Sequence, residues 1–303
     1  MEIEFIGFPM FYGCDKKGVE EGPDKLREHN LVGIFTNKHN KVLDAGNVEV
    51  EQVGEDCKFS SHSSMKYYKE IIKANENLAK AVEKAMNSGR LPFILGGDHS
   101  QGIGSLAGVK AGSTEEFAVI WVDAHADLNV TETSPSGHIH GMPLSASAGL
   151  GDHAFTSQHV NSQKVKPENI YIIGLRSVDE GEEVIIKDNG VNVWRMEDVR
   201  SRGLEACVEE ILEEIERSNI KNIHLSYDID SLDKRLVPGA ATPVGNGLEI
   251  EESQKLISTI IETGKVKSID FVEFNPIIDQ NDITLNSALS MLDTFATSLG
   301  KIK

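Results

Sequence analysis

The chain has 303 residues, with 30 Lys and Arg against 48 Asp and Glu, for a formal charge of −18. That excess of acid argues against a nucleic-acid binder, whose phosphate contacts need clustered cations, and against docking on an anionic membrane. It leaves room for a cationic small molecule, which a negative cleft would attract. No apolar run approaches the ~20 residues that span a bilayer. Met1–Phe5 carries neither a basic stretch nor an apolar one, so no signal peptide is expected there. Cys14, Cys57 and Cys207 form no CxxC pair, which makes a disulfide framework or a zinc-thiolate site unexpected and a reducing cytoplasm the expected location.

Taken in chain order, short apolar runs alternate with helical patterns. The predicted strands are Ile3–Gly7, Lys41–Ala45, Pro92–Leu95, Phe117–Val122, Ile170–Gly174, Val191–Arg195, Asn222–Tyr227 and Val266–Val272. Most are continuously apolar, as strands covered on both faces should be. Helical patterns occupy Ser64–Asn87, Glu197–Ser218, Glu249–Thr263 and Asn286–Ser298. In the second of these, Val208, Ile211, Leu212 and Ile215 share one face, with glutamates opposite. Such alternation implies a parallel α/β sheet with right-handed crossovers. Pattern alone fits either a closed barrel or an open sheet. With no repeat, low-complexity tract or Pro/Ser-rich linker, one domain over residues 1–303 is expected.

Chemistry concentrates where strands end. Asp123, His125 and Asp127 follow the run Phe117–Val122 at i, i+2, i+4, a spacing that in extended chain puts all three side chains on one side. Asp228 and Asp230 repeat that pattern after Asn222–Tyr227, and His99 stands just after Pro92–Leu95 in Gly96-Gly97-Asp98-His99-Ser100. Three strand ends therefore offer two imidazoles, four carboxylates and no thiolate. Converging acids repel unless a cation joins them. Six ligands exceed the needs of one tetrahedral zinc and suit two ions. The N/O donor set favours Mn, with Fe, Co or Zn competing. Such a pair, about 3.5–4 Å apart, can hold a bridging hydroxide.

Two further segments have plainer readings beside functional ones. Gly102-Ile103-Gly104-Ser105-Leu106-Ala107 matches a dinucleotide fingerprint in outline, but its glycines equally allow close packing. His138 and His140, in Ser136-Gly137-His138-Ile139-His140-Gly141-Met142-Pro143, are candidates for proton transfer or substrate contact, against the alternative of surface histidines.

Read together, GGDHS, DAHADLN, SPSGHIHGMPLS, GLRSVDEGE, SYDIDSLD, GAATPVGNG and FVEFNP resemble the ureohydrolase superfamily, and its arginase family in particular, along nearly the whole chain. The resemblance implies a three-layer αβα sandwich around a mostly parallel, eight-stranded open sheet. It implies two Mn²⁺ per subunit: His99, Asp123, Asp127 and Asp228 on one ion, and Asp123, His125, Asp228 and Asp230 on the other, with Asp123 and Asp228 bridging. His140 matches a proton-shuttling histidine and Glu273 the acid that pairs with the guanidinium; Asp127 counts with them among the catalytic residues. Asn129, Ser134 and Ser136 match contacts to an α-carboxylate, Asp179, with Glu182 beside it, an acid receiving the α-amino group, and Thr242 a pocket residue. His138 also belongs to the pocket but departs from the Asn usual there, and Ser177 replaces a frequent Asp.

The implied reaction is hydrolysis of L-arginine to L-ornithine and urea through a metal-bridging hydroxide. A homo-oligomer, trimer or hexamer, is expected by the same resemblance. Agmatinase, guanidinobutyrase or formimidoylglutamase would share the metal centre but not the α-amino pocket. An NAD-dependent dehydrogenase would rest on the glycine pattern, and a non-catalytic metal-binding homologue would keep the fold without the reaction.

Overall fold

Hydrophobic strands that must be covered on both faces need a helix between each pair, and the chain supplies at least one every time. In the computed structural model, which describes residues Met1–Ile302, the chain runs β1 (Glu2–Phe8), α1 (Gly22–Glu28), α2 (Leu31–Thr36), β2 (Lys41–Asn47), α3 (Tyr68–Asn87), β3 (Leu91–Gly96), α4 (Gly102–Gly112) and β4 (Phe117–Val122). It continues through α5 (Pro143–Ser147), α6 (His153–Thr156), β5 (Ile170–Leu175), α7 (Glu180–Asn189), β6 (Asn192–Arg195), α8 (Met196–Arg202) and α9 (Leu204–Arg217). It closes with β7 (Asn222–Asp228), α10 (Ile250–Glu262), β8 (Val266–Val272) and α11 (Ile283–Lys301).

The eight strands form one open α/β sheet in the order β2-β1-β3-β8-β7-β4-β5-β6, and every pairing is parallel. Alternation along each strand feeds two separate cores. Ile3 and Phe5 face one, Ile6 and Phe8 the other; Ala118, Ile120 and Val122 join the first, Phe117, Val119 and Trp121 the second. Helices α8–α11 cover the first face, where Phe295 of α11 meets Phe93 and Phe271 edge-on. Helices α3 and α4 cover the second.

All eight predicted strands are present: Phe117–Val122 and Val266–Val272 match to the residue, and the other six differ by one or two residues at one or both ends. Glu197–Ser218 is not one helix: Gly203, at φ +91°, breaks it into α8 and α9. The expected helix from Ser64 starts only at Tyr68, because Tyr67 is left-handed at φ +48°.

The connection order decides where the chemistry sits. After β3 the chain leaves a gap, lays down β4, β5 and β6 beyond it, and returns to fill the gap with β7 and β8. The carboxyl ends of β3, β8, β7 and β4 therefore lie side by side at the point where strand order reverses, which is where open α/β sheets bind ligands.

Candidate active site

The loops leaving those four strands carry most of the candidate residues. His99 follows β3, Asp123 opens the loop after β4, Asp228 ends β7 with Asp230 in the turn beyond, and Glu273 follows β8. His99 is stacked on Trp121 with ring centroids 4.0 Å apart, and its Nε2 lies 2.8 Å from the Ser226 hydroxyl. Its Nδ1 faces three carboxylate oxygens: Asp123 Oδ2 at 3.0 Å, Asp127 Oδ2 at 3.1 Å and Asp228 Oδ2 at 3.1 Å. None of these has hydrogen-bond geometry. A second cluster stands beside the first, with His125 Nδ1 3.5 Å from Asp123 Oδ1 and 3.2 Å from Asp230 Oδ2. Asp123 belongs to both, one oxygen in each. Asp228 reaches the first through Oδ2, while its Oδ1 accepts the Asp230 N–H at 2.7 Å.

The local route differs from the expected one. Beyond Val122 the chain bends instead of continuing as a strand, and Asp127 is left-handed at φ +51°. Convergence of Asp123, His125 and Asp127 thus comes from a strained turn and not from period-two alternation. Glu273 is left-handed too, at φ +69°. Strain of this kind persists where surrounding structure over-determines the backbone.

Electrostatics show what the clusters lack. Burial, reinforced by Asp230 and Asp123, holds the Asp228 carboxyl well above its ordinary range, and burial with Asp123 raises Asp127. Burial would lower His99 and His125, but their carboxylate neighbours outweigh it and raise both. Burial would likewise raise Asp123, yet His125 and His99 pull it down. These opposed shifts mark a group of donors that needs shared positive charge. Nitrogen lone pairs aimed at converging carboxylate oxygens, without hydrogen-bond geometry, are the donor arrangement that divalent ions complete. His99, Asp123 and Asp127 form one group able to hold a metal, and Asp123, His125 and Asp230 a second.

Above the second cluster lies a cavity of about 120 Å³. His125, Asp127, His140 and Thr242 line it, with Asn129, Ser134, Ser136, His138, Ser177, Asp179 and Glu182 completing the wall. Glu273 does not line it. Its Oε1 accepts the His99 N–H at 2.7 Å and lies 3.2 Å from His140 Nδ1, while its buried Oε2 has no partner. The Thr242 hydroxyl donates to Asp230 Oδ2 at 3.0 Å, and Asn129 Nδ2–H to Asp179 Oδ2 at 2.9 Å. Both Glu182 oxygens are taken by backbone, from Leu128 N–H at 3.0 Å and Asp179 N–H at 2.9 Å, and burial pushes its carboxyl up to about 7. Glu182 therefore staples the start of α7 to the loop after β4. Ser134 and Ser136 hydroxyls accept from Gly137 N–H and His138 N–H.

Four supporting residues escape sequence reading. Trp121 donates from Nε1 to Asp123 Oδ2 at 3.0 Å, yet reads as core in an apolar strand. Ser226 sits mid-strand. Asp98, raised to about 6 mainly by burial, accepts from Gly13, Cys14 and Ser100 N–H groups. Arg176 donates to the carbonyls of Asp230, Leu232, Val244 and Gly245, pinning the loop that carries Asp230 and Thr242. Only GGDHS and GLRSVDEGE hinted at the last two.

The dinucleotide outline resolves into packing. A Cβ at Gly102 would lie 2.8 Å from Pro143 Cβ and 2.9 Å from Trp121 Cη2, and one at Gly104 2.6 Å from the Asn75 carbonyl, so these glycines let α4 pack closely against β4, α5 and α3.

Comparison with known proteins gives consistent matches. The model of the Arginase family matches residues 1–297. An arginase from Bacillus caldovelox is 39% identical over 290 residues, covering 96% of each chain. The crystal structure of arginase from Bacillus subtilis superposes with TM-score 0.90 at 37% identity over 99% of both chains. Arginase of Entamoeba histolytica in complex with L-ornithine gives 0.89 at 32% identity, covering 97% of this chain and 98% of that one.

Proposed function

The chain belongs to the arginase family, hydrolases that act on C–N bonds of linear amidines, and from that premise we propose that its substrate is L-arginine, cleaved to L-ornithine and urea at two Mn²⁺ ions. The observation that carries the reading is the pair of Asp/His clusters sharing Asp123 at the floor of a cavity whose wall bears the Asn129–Asp179 pair and the Ser134 and Ser136 hydroxyls. A solved relative was crystallised with L-ornithine, which matches the proposed product.

In this reading His99, Asp123, Asp127 and Asp228 hold one ion, and Asp123, His125, Asp228 and Asp230 the other. When bound, such a pair would lower the pKa of water and so supply a hydroxide nucleophile near neutral pH. The chain's own groups do the rest. Glu273 lies behind the cavity wall, and its buried Oε2, which has no partner, is the acceptor this reading assigns to the guanidinium. His140 is held against Glu273; burial would lower its pKa, but Glu273 raises it, which favours the protonated ring that this reading uses to pass a proton to the departing amine. Asp179, aligned by Asn129, receives the α-amino group. Thr242 fixes the outer oxygen of Asp230. The protein works as one domain, as a homo-oligomer (trimer or hexamer), in the cytoplasm.

The test is elemental analysis of the purified protein joined to urea and formamide release from arginine, agmatine, guanidinobutyrate and formimidoylglutamate. Bound manganese with urea from arginine alone is expected. Preference for agmatine, or full metal loading with no hydrolysis of any guanidine, would defeat the substrate assignment.

A further inference from the structure

His138 stands where the family resemblance anticipates Asn, and it is not alone. Its Nε2 lies 2.6 Å from the Lys66 ammonium. Lys66 in turn lies 3.1 Å from Asp15 Oδ2, which Lys58 also approaches at 2.9 Å. The backbone holds these groups in register. Lys66 N–H donates to the Gly137 carbonyl at 3.0 Å, and a Cβ at Gly137, φ +68°, would stand 2.0 Å from the Ser64 carbonyl. The segment ahead of α3 is thus pressed directly against the loop that bears His138. Asp15 is ionised: burial raises its pKa, but Lys58 and Lys66 outweigh that and hold it below the usual carboxylate range.

An ammonium has only donors, so Nε2 of His138 must accept. A neutral imidazole whose Nε2 accepts carries its hydrogen on Nδ1. The geometry points to Lys66 as a positioning residue for substrate choice: held by Asp15, it sets His138 as the Nδ1–H tautomer, a neutral donor in the cavity wall that recognises the carboxylate of the substrate. Burial, with His140 and Lys66 adding, also pushes the His138 ring down to about 4, so it stays uncharged at working pH. Ser134 and Ser136 share that wall, and their hydroxyls already accept from backbone N–H groups while keeping their own hydrogens free to donate. A carboxylate arriving beside these three side chains meets hydrogens free to donate, whereas Asp179 and Glu182 of the same cavity are acceptors. This inference deepens the reading of the cavity as an amino-acid site and rests on it.

Neutron diffraction from deuterium-exchanged wild-type crystals reads the tautomer without any substrate. Deuterium on Nδ1 of His138 is expected; deuterium on Nε2 would overturn the proposal. Kinetics read its consequence. Lys66→Met is expected to raise KM for arginine about tenfold, as loss of one charge-assisted contact would, with kcat within twofold and the inhibition constant of agmatine, which lacks the carboxylate, unchanged. Lys66→Arg, which still donates to Nε2, should restore KM. Equal losses toward arginine and agmatine, or no rescue by Arg, would show that Lys66 is merely structural. Should arginine release no urea, the substrate reading fails on that assay, while the neutron map still decides the tautomer.

Discussion

The floor and the mouth of the cavity are built on opposite principles. At the floor, acids crowd at the ends of central strands: His99 is 1% exposed, and Asp123 and Asp230 are fully buried. Nothing there is stable without compensating charge. At the mouth, Asp15, Lys58, Lys66 and His138 sit on loops and are 16–27% exposed, and their charges compensate one another already. The floor's donors are arranged to share a cation, whereas the mouth pairs its own charges. Chemistry that must be strong is placed where the dielectric is low and the backbone rigid, and selection among similar substrates is left to loops whose contacts are worth less each.

The largest effect should come from breaking the floor. Asp123→Asn takes charge from both clusters, so activity should fall by more than the ~100-fold typical of losing an outer-shell partner, and bound metal, measured by elemental analysis, should fall with it. Unchanged metal content would place the ions elsewhere.

Metal removal comes next. Loss of a ligand present at ~100 times its dissociation constant lowers stability by about 2.7 kcal/mol, seen as a lower melting temperature after chelation. The pH dependence should then reverse. In the metal-free protein Asp228, Asp127, His99 and His125 all have raised pKa values, so the folded state binds more protons than the unfolded one above the unfolded values. Its stability should therefore rise as pH falls from 8 toward 6. Loaded protein should lose stability over that window, because its ligands must be deprotonated. Parallel pH profiles for the two forms would contradict this account of the floor.

At the mouth, effects should be smaller and selective. Asp179→Ala removes a charged partner, worth about 1.5–3 kcal/mol, and should raise KM for arginine by one to two orders of magnitude while leaving binding of guanidinobutyrate, which has no α-amino group, nearly unchanged. Equal losses toward arginine and guanidinobutyrate would remove Asp179 as the partner of the α-amino group. His138→Asn keeps a neutral donor but frees Lys66, and a change of about 1 kcal/mol or less, a few-fold in KM, is expected. Tighter arginine binding in that variant would mark histidine as a compromise.

Much of this was legible in the chain. Strand and helix patterns depend on side-chain period, a property of neighbouring residues, so Phe117–Val122 and Val266–Val272 could be read to the residue. The six metal-ligand candidates were equally visible, as short polar clusters closing apolar runs. What local pattern could not show is that β7 and β8 insert between β3 and β4, because strand order is settled by packing between segments more than a hundred residues apart. That order alone brings Asp228 within 3.1 Å of His99. The left-handed turn at Asp127 was hidden for the same reason, since its strain is tolerated only inside a finished core. No sequence pattern marks Lys66 or Asp15; only the meeting of three distant loops makes them partners of His138, because a hydrogen bond is specified by position in space and not by distance along the chain.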